Sequence, residues 1–91
     1  MVEVRLDSML REFLPRQRVS VQATTVGGVL NQLEEEYPRL RFRIRDETGA
    51  LRRFIRVFVN EEDIRSLRGV ETPVGDRDTV HILHSIQGGV E

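Results

Sequence analysis

The chain has 91 residues, which is enough for one domain with a modest core and too few for two. Charged residues make up 32% of it but nearly cancel to a net charge of -1, which excludes a global field for nucleic acid or acidic lipid. The absence of cysteine excludes disulfides, thiolate metal sites and a cysteine nucleophile.

The N-terminal residues carry no apolar signal core. No uninterrupted apolar run in the sequence approaches the ~20 residues that a membrane span needs. We therefore expect a cytoplasmic protein that interacts with no membrane.

Two strand-like segments open the chain. Residues 2–7 alternate apolar and charged side chains, which is the period of a half-buried strand, and Val19 and Val21 restart that period. The apolar residues between them do not alternate and lead to Pro15, which indicates a loop or a short helical turn. We expect a hairpin over residues 2–22.

The clearest periodic segment begins at Thr24 and Thr25, either of which can cap a helix through its hydroxyl. Its apolar residues have helical spacing, and Pro38 ends the predicted helix. Gly27 and Gly28 allow a phosphate-loop interpretation, but neither GxGxxG after a strand nor GxxxxGK[ST] is present, so an amphipathic helix packed on a sheet is preferred. The apolar positions are Val26, Val29, Leu30, Leu33 and Tyr37.

Residues 39–53 are rich in arginine, around a turn-like segment at 46–49. Arginine alternates here with Leu40, Phe42 and Ile44, which could indicate a nucleic-acid strip. Nearby acidic residues would cancel much of that field. We therefore favour a solvated face, or a docking surface for an acidic partner, and expect no nucleic-acid binding. The arginines are Arg39, Arg41, Arg43, Arg45, Arg52 and Arg53.

Strand periods return at residues 54–59 and 79–86, separated by a turn at 60–63, a short apolar element at Ile64 and an irregular loop over 66–78. The order is strand, strand, helix, strand, short strand, strand. One long helix then predicts a mixed sheet packed on that helix, an α+β arrangement. The sheet residues predicted to meet the helix are Val4, Leu6, Val19, Val21, Ile55, Val57, Val59, Val80 and Ile82.

Three apolar residues remain outside this predicted core. If Val80 and Ile82 point inward, Leu83 and Phe58 lie on the outer face, where polar residues are expected. Single exposed apolar residues are common. Nevertheless, Phe58, Leu83 and Ile86 would form an exposed apolar patch, which we interpret as a partner-binding surface.

Two histidines, His81 and His84, lie in the last predicted strand. Their separation of three places them on opposite faces, where they cannot easily share a metal ion. No serine or carboxylate completes a triad-like pattern with them. We therefore predict no metal site and no catalytic side chain.

A diglycine, Gly88-Gly89, follows the last strand. Glycine lets one backbone approach another closely, as threading through a narrow enzyme channel requires. The alternative is a frayed terminus of small residues. We divide the chain into a domain over residues 1–86 and a flexible C-terminal tail over residues 87–91.

Four segments together resemble the MoaD/ThiS family over nearly the whole chain. They are residues 23–30 at the helix start, 34–38 at its end, 57–60 before an acidic turn, and 75–82 ahead of the diglycine. The resemblance implies a ubiquitin-like β-grasp fold and the role of a sulfur carrier, which is not itself an enzyme and binds no cofactor.

In such carriers a ubiquitin-activating-type enzyme uses MgATP to adenylate the terminal glycine carboxylate, and displacement of the adenylate gives a thiocarboxylate. By resemblance, Gly89 is the reactive residue and Gly88 is the second residue threaded into the channel. The sulfur would pass to an acceptor synthase in the biosynthesis of molybdopterin, thiamine, cysteine or another metabolite.

The sequence departs from the usual pattern because Val90 and Glu91 follow Gly89, which therefore has no free carboxylate. Some family members carry such an extension, which a JAMM-type metalloprotease removes, and we expect cleavage between Gly89 and Val90. Two alternatives remain: a ubiquitin-like modifier joined through Gly89 to target lysines, and a β-grasp interaction domain with an inert tail. The chain has no lysine of its own to act as an acceptor.

Overall fold

A computed structural model describes residues 1–7, 10 and 18–84. The strands in this part of the chain are β1 (Val2–Leu6), β2 (Arg18–Val21), β3 (Ile55–Val59), β4 (Glu62–Asp63) and β5 (Thr79–His84). The helices are α1 (Val26–Glu36) and α2 (Arg41–Ile44), with 3-10 turns at Pro38–Leu40, Ile64–Ser66 and Gly69–Glu71. The predicted order of strands and long helix is confirmed.

The five strands form one mixed sheet in the order β2-β1-β5-β3-β4. β1 and β5 are parallel, with Val4 beside Val80, and the other neighbours are antiparallel. The expected hairpin between β1 and β2 is present, with Val4 opposite Val19. Among the described residues, β5 is the last strand in sequence but lies at the centre of the sheet, where it pairs with a strand on each side.

Helix α1 begins at the second of the two candidate caps. Thr25 has extended dihedrals, and its Oγ1 accepts a hydrogen bond of 3.1 Å from the backbone N–H of Gly28. The helix ends at Glu36, and Pro38 opens the following 3-10 turn, as its fixed φ favours. The predicted helix, including its end before Pro38, is confirmed.

The core lies between α1 and the inner face of the sheet. Every residue predicted to meet there is buried, except Val19, which is partly buried and packs against the cluster. The sequence analysis did not assign six further buried apolar residues to this core: Val2, Leu10, Leu40, Ile44, Ile64 and Val74.

The segment after α1 contains a helix that the alternating pattern did not predict. Leu40 and Ile44 are both fully buried, and Phe42 between them is exposed. Their spacing of four residues is that of one helical face, and α2 spans Arg41–Ile44. Arg45 then binds Glu34 of α1 through two bonds of 2.9 and 2.6 Å, which ties the segment to the long helix.

The short strand occupies a different place from the one predicted. Ile64 does not extend a strand but opens a 3-10 turn, and β4 consists of Glu62 and Asp63, which the sequence placed in the turn. The turn is tight enough for Glu62 to pair directly with Val59. Asn60 takes a positive φ of 59°, a conformation that asparagine adopts more readily than most residues.

The loop over residues 66–78 is more ordered than predicted. Thr72 is buried, and its backbone carbonyl accepts a hydrogen bond of 3.0 Å from the N–H of Val26. The N–H of Val74 donates a hydrogen bond of 2.9 Å to the backbone carbonyl of Thr24. These bonds fasten the loop to the start of α1. No helix among residues 1–7, 10 and 18–84 is long and apolar enough to cross a membrane.

Candidate functional site

His84, the last residue of β5 that the structure describes, is held by contacts on both sides of the strand. The backbone N–H of His84 donates to the carboxylate of Asp7 at 2.9 Å, and His84 pairs across the sheet with Ile55. The ring of Phe54 lies 4.7 Å from the imidazole, centroid to centroid. We call His84 and these neighbours the tail root.

The predicted tail residues Gly88 and Gly89, and Ile86 of the predicted patch, lie outside the described residues. Gly89 follows His84 by five positions. A fully extended chain spans at most about 3.5 Å per residue, so Gly89 can lie up to about 17 Å from the tail root.

The outer face of the sheet carries the other two patch residues. Phe58 pairs with His81 and Leu83 pairs with Arg56, so Phe58 and Leu83 are diagonal neighbours on β3 and β5, a spacing at which large side chains can touch. The predicted facing is confirmed, because Val57 and Ile82 between them are buried. Both patch residues are half-buried, however, and not fully exposed as expected.

Arginine–carboxylate groups flank these apolar residues on both sides. On the β4 side, Arg65 binds Asp63 at 2.9 Å and Arg56 lies 3.9 Å from the same carboxylate. Hydrogen bonds from the Arg65 side chain, and then from its backbone N–H, lower the pKa of Asp63. On the β2 side, Arg5 and Arg18 share Glu3 at 3.1 and 3.6 Å. These two groups together contain four arginines and two carboxylates, and this local positive excess suits an acidic partner.

The two histidines of β5 lie on opposite faces, as predicted. His81 faces outward beside Phe58, whereas His84 belongs to the tail root and stacks near Phe54. Among the described residues, no group of three or more His, Cys, Asp or Glu side chains could hold a metal ion. Neither histidine therefore has the neighbours that a metal site requires.

The glycine pair at the start of α1 has a packing role. A Cβ atom at Gly27 would lie 3.2 Å from the carbonyl oxygen of Val70, and one at Gly28 would lie 3.2 Å from the Cβ of Ala23. Glycine therefore lets the first turn of α1 approach the neighbouring loops closely. This accounts for the pair without a phosphate ligand.

A comparison with family models matches residues 4–89 to the ThiS family, a range that includes both glycines of the tail. The chain therefore belongs to the ThiS family. The resemblance to MoaD/ThiS proteins drawn from the sequence is confirmed.

Curated relatives of this ThiS family member match over nearly its full length. The sulfur carrier protein CysO of Mycobacterium tuberculosis is 36% identical over 97% of this chain and 98% of its own. The small archaeal modifier protein 3 of Haloferax volcanii is 30% identical over the same shares of the two chains.

Solved structures confirm the ubiquitin-like β-grasp fold of this ThiS family member. A chain in the crystal structure of the BexX/CysO complex of Amycolatopsis orientalis matches with a TM-score of 0.86 and 32% identity, over 93% of this chain and 96% of that one. The mixed sheet and its packing on α1 agree with that fold.

Sequence reasoning missed part of the tail root. Asp7 and His84 are 77 positions apart, and no periodic pattern connects them. The sequence analysis did not predict the order of the strands within the sheet, so it gave no signal that Asp7 lies beside β5. The sequence analysis placed Phe42 in the arginine-rich segment together with Leu40 and Ile44, but it did not distinguish Phe42, which is 55% exposed, from these two buried residues.

Proposed function

We propose that this chain is a sulfur carrier that donates sulfur from a thiocarboxylate at Gly89. The observation that carries the proposal is the ThiS family match, which extends through Gly89. The relative CysO, matched over 97% of the chain, is named a sulfur carrier protein. The fixed tail root supports the same role, because it gives a reactive tail a firm base.

The proposed reaction has two steps, adenylation of Gly89 and displacement of AMP by sulfur. An oxygen of the Gly89 carboxylate attacks the α-phosphorus of MgATP and displaces pyrophosphate, which turns a poor electrophile into an acyl adenylate. A sulfide sulfur, supplied by a sulfur-donor enzyme, then attacks the carbonyl carbon and expels AMP, leaving the thiocarboxylate. The adenylating enzyme binds the MgATP, and the carrier supplies only the glycine.

Activation requires a free carboxylate at Gly89, and Val90 follows it in the sequence. We propose that a JAMM-type metalloprotease hydrolyses the Gly89–Val90 bond, with water providing the new carboxylate oxygen. Gly88 would be threaded with Gly89 into the channel of each enzyme, because two residues without Cβ make the narrowest stretch of chain.

The outer face of the sheet is the proposed contact for the adenylating enzyme and for the synthase that accepts the sulfur. Phe58 and Leu83 would supply the apolar centre, extended by Ile86, and the flanking arginines would supply the charged rim. Such a centre and rim are typical of protein interfaces. The complex of the A. orientalis CysO with BexX supports contact with a partner protein.

A second function is favoured by the archaeal relative. The small archaeal modifier protein 3 of H. volcanii is named a modifier, and it matches 97% of this chain. In that role, a lysine amine of a target protein would attack the same adenylate and expel AMP to form an isopeptide bond. The absence of lysine from this chain would prevent it from forming such bonds with itself through side chains.

The test compares two purified forms, one ending at Gly89 and one with all 91 residues. Each is incubated with MgATP, sulfide and the adenylating enzyme from the same genome, and its intact mass is measured. The form ending at Gly89 should replace one oxygen by sulfur, and the 91-residue form should remain unchanged. A Gly89-ending form that is never adenylated would overturn the proposal.

A parallel incubation separates the two functions. A lysine-rich acceptor protein replaces sulfide, and the products are separated on a denaturing gel. A carrier should yield only unconjugated chain, whereas conjugates of higher mass would support the modifier. In cell extract, trimming of the 91-residue form at Gly89 is expected, and a chain that is never trimmed would contradict the proposed cleavage.

A further inference from the structure

The short helix α2 presents an aromatic ring to solvent from a fixed position. Leu40 and Ile44 are fully buried and anchor the helix, whereas Phe42 between them is 55% exposed. Among the described residues, the other large apolar side chains with substantial exposure are Met1, Leu67 and Val70, none of which is aromatic. Phenylalanine and arginine are both enriched at protein interfaces relative to the rest of the surface, so this ring becomes informative if arginines lie beside it.

One arginine contacts this ring and another bonds the backbone of the same residue. The guanidinium carbon of Arg41 lies 5.4 Å from the ring centroid, within the range of a cation–π contact. Nε of Arg52 donates to the carbonyl oxygen of Phe42 at 2.6 Å, and Arg53 beside it is exposed. We define the Phe42 surface as Arg41, Phe42, Arg52 and Arg53.

Charge is unevenly distributed between this part of the chain and the rest. Residues 39–53 contain six arginines and two carboxylates, Asp46 and Glu47, a net charge of +4. The whole chain has a net charge of -1, so the remaining residues carry -5. Glu34 outside the segment compensates Arg45. Asp46 interacts electrostatically with Arg52, and Asp46 and Glu47 line the same pocket as Arg41 and Phe42. The other five arginines of the segment outnumber these two carboxylates, which leaves the segment a positive excess.

The Phe42 surface adjoins the tail root. The N–H of Ile55 donates to the carbonyl of Arg52 at 2.9 Å, and Ile55 pairs with His84. Phe54, next to Arg53 in the chain, contacts the ring of His84. An enzyme that takes up the tail must cover the tail root, and the Phe42 surface lies at its edge.

We propose that the Phe42 surface docks onto an acidic surface of the adenylating enzyme while that enzyme holds the tail. This inference rests on the proposed function and adds a second contact, separate from the outer face of the sheet. Charge complementarity and proximity to the tail root identify the occupant. Single-stranded nucleic acid fits less well, because it is bound by several stacking rings and a long positive groove, whereas this surface has one ring and the rest of the chain is acidic.

The test measures binding of the 91-residue chain to the adenylating enzyme by calorimetry at low and high NaCl. The double variant Arg41→Glu with Arg53→Glu removes charge from the Phe42 surface. Its matched control, Arg68→Glu with Arg77→Glu, makes the same change in net charge at exposed positions outside residues 39–53. Phe42→Ala tests the ring, and thermal unfolding of each variant verifies that it folds.

The Arg41/Arg53 variant should bind about tenfold more weakly at low salt, and the control should stay within about twofold of the unmodified chain. High salt should weaken the binding of the unmodified chain to the enzyme more than it weakens the binding of the Arg41/Arg53 variant. Equal losses in the two double variants would overturn the proposal, as would tighter binding of a twenty-nucleotide single strand than of the enzyme at the same salt.

The experiments distinguish failure of the proposed function from failure of the proposed docking surface. A chain that binds with this charge dependence, but whose Gly89-ending form is never adenylated, would overturn the sulfur-carrier proposal and leave the docking surface standing. A Gly89-ending form that is adenylated equally well with Arg41 and Arg53 reversed, and binds equally well, would overturn the docking surface alone.

Discussion

Ile82 and Leu83 are neighbouring aliphatic residues of β5 with different structural roles. Ile82 is fully buried beneath α1, whereas Leu83 lies half-buried on the outer face beside Arg56. The strand places successive side chains on opposite faces, so one position belongs to the core and the next is available to a partner. Substitutions at the two positions should therefore affect different properties.

Leu83→Arg should weaken adenylation of the Gly89-ending form with little effect on unfolding, because the new charge meets solvent in the free protein and an apolar contact in the complex. Ile82→Ala, the matched core variant, should lower the free energy of unfolding by about 3 kcal/mol. Urea unfolding and the KM for the carrier measure the two effects. If Leu83→Arg unfolds the domain, the assignment of faces is wrong.

Asp63 should make stability depend on pH. Hydrogen bonds from Arg65 hold its pKa below the ordinary value of 3.8 in the folded chain, so its carboxylate form is favoured by folding. This contribution is present above pH 3.8 and is lost as the pH falls through the lower folded pKa. Asp63→Asn should therefore flatten the acid side of the stability profile, measured by urea unfolding from about pH 5 to about pH 2.

The exposed neighbour Glu61 provides the control for this pH dependence. Glu61→Gln removes a carboxylate from the same turn without touching the contact between Arg65 and Asp63. Its acid profile should keep the slope of the unmodified chain. Equal slopes for Asp63→Asn and the unmodified chain would show that the pair contributes nothing to stability.

At the scale of single elements, the start of α1 depends on one hydroxyl. Thr25→Ala should lower the free energy of unfolding by about 1 kcal/mol, because the N–H of Gly28 loses its acceptor. Thr24→Ala is the matched control, since Thr24 is exposed and contributes its backbone carbonyl to Val74. Thermal or urea unfolding measures both. A larger loss at Thr24 would contradict the assignment of the cap.

The sequence predicted correctly those elements in which the periodically spaced apolar residues are also the buried ones. β1 and α1 place their apolar residues on one face, which meets the core, and β3 and β5 do so except for Phe58 and Leu83 on the outer face. α2 was missed because Leu40, Phe42 and Ile44 alternate like a strand, whereas burial of the first and third also fits one helical turn. β4 was missed because two acidic residues carry no apolar pattern, and its pairing depends on the left-handed turn at Asn60.

The candidate site could be predicted only where it depends on strand alternation. Phe58 and Leu83 were correctly assigned to the outer face, since their neighbours are core residues. Their partial burial and the bond between Asp7 and His84 depend on contacts between distant segments, which no local pattern encodes. The role of Gly89 came from family resemblance and stays a prediction.

At the scale of the whole molecule, backbone amides should be best protected from hydrogen exchange in β5, the strand that precedes the tail. β5 pairs with β1 on one side and β3 on the other, while β2 and β4 lie at the edges. Amide hydrogen exchange should therefore be slowest in β5 and faster in β2 and β4. NMR-detected exchange measures this order. Exchange in β5 as fast as in β2 would contradict a firm base for the tail.

The central position of β5 has a consequence for the newly made protein. Glu3 of β1 pairs with Thr79, which the ribosome adds 76 positions later, so the middle of the sheet must wait for the last strand. Until β5 pairs with β1 and β3, Phe58 has no His81 beside it and the outer face of the sheet is incomplete. An enzyme that recognises this face would therefore ignore nascent and misfolded chains, and the order of synthesis would act as quality control for tail processing.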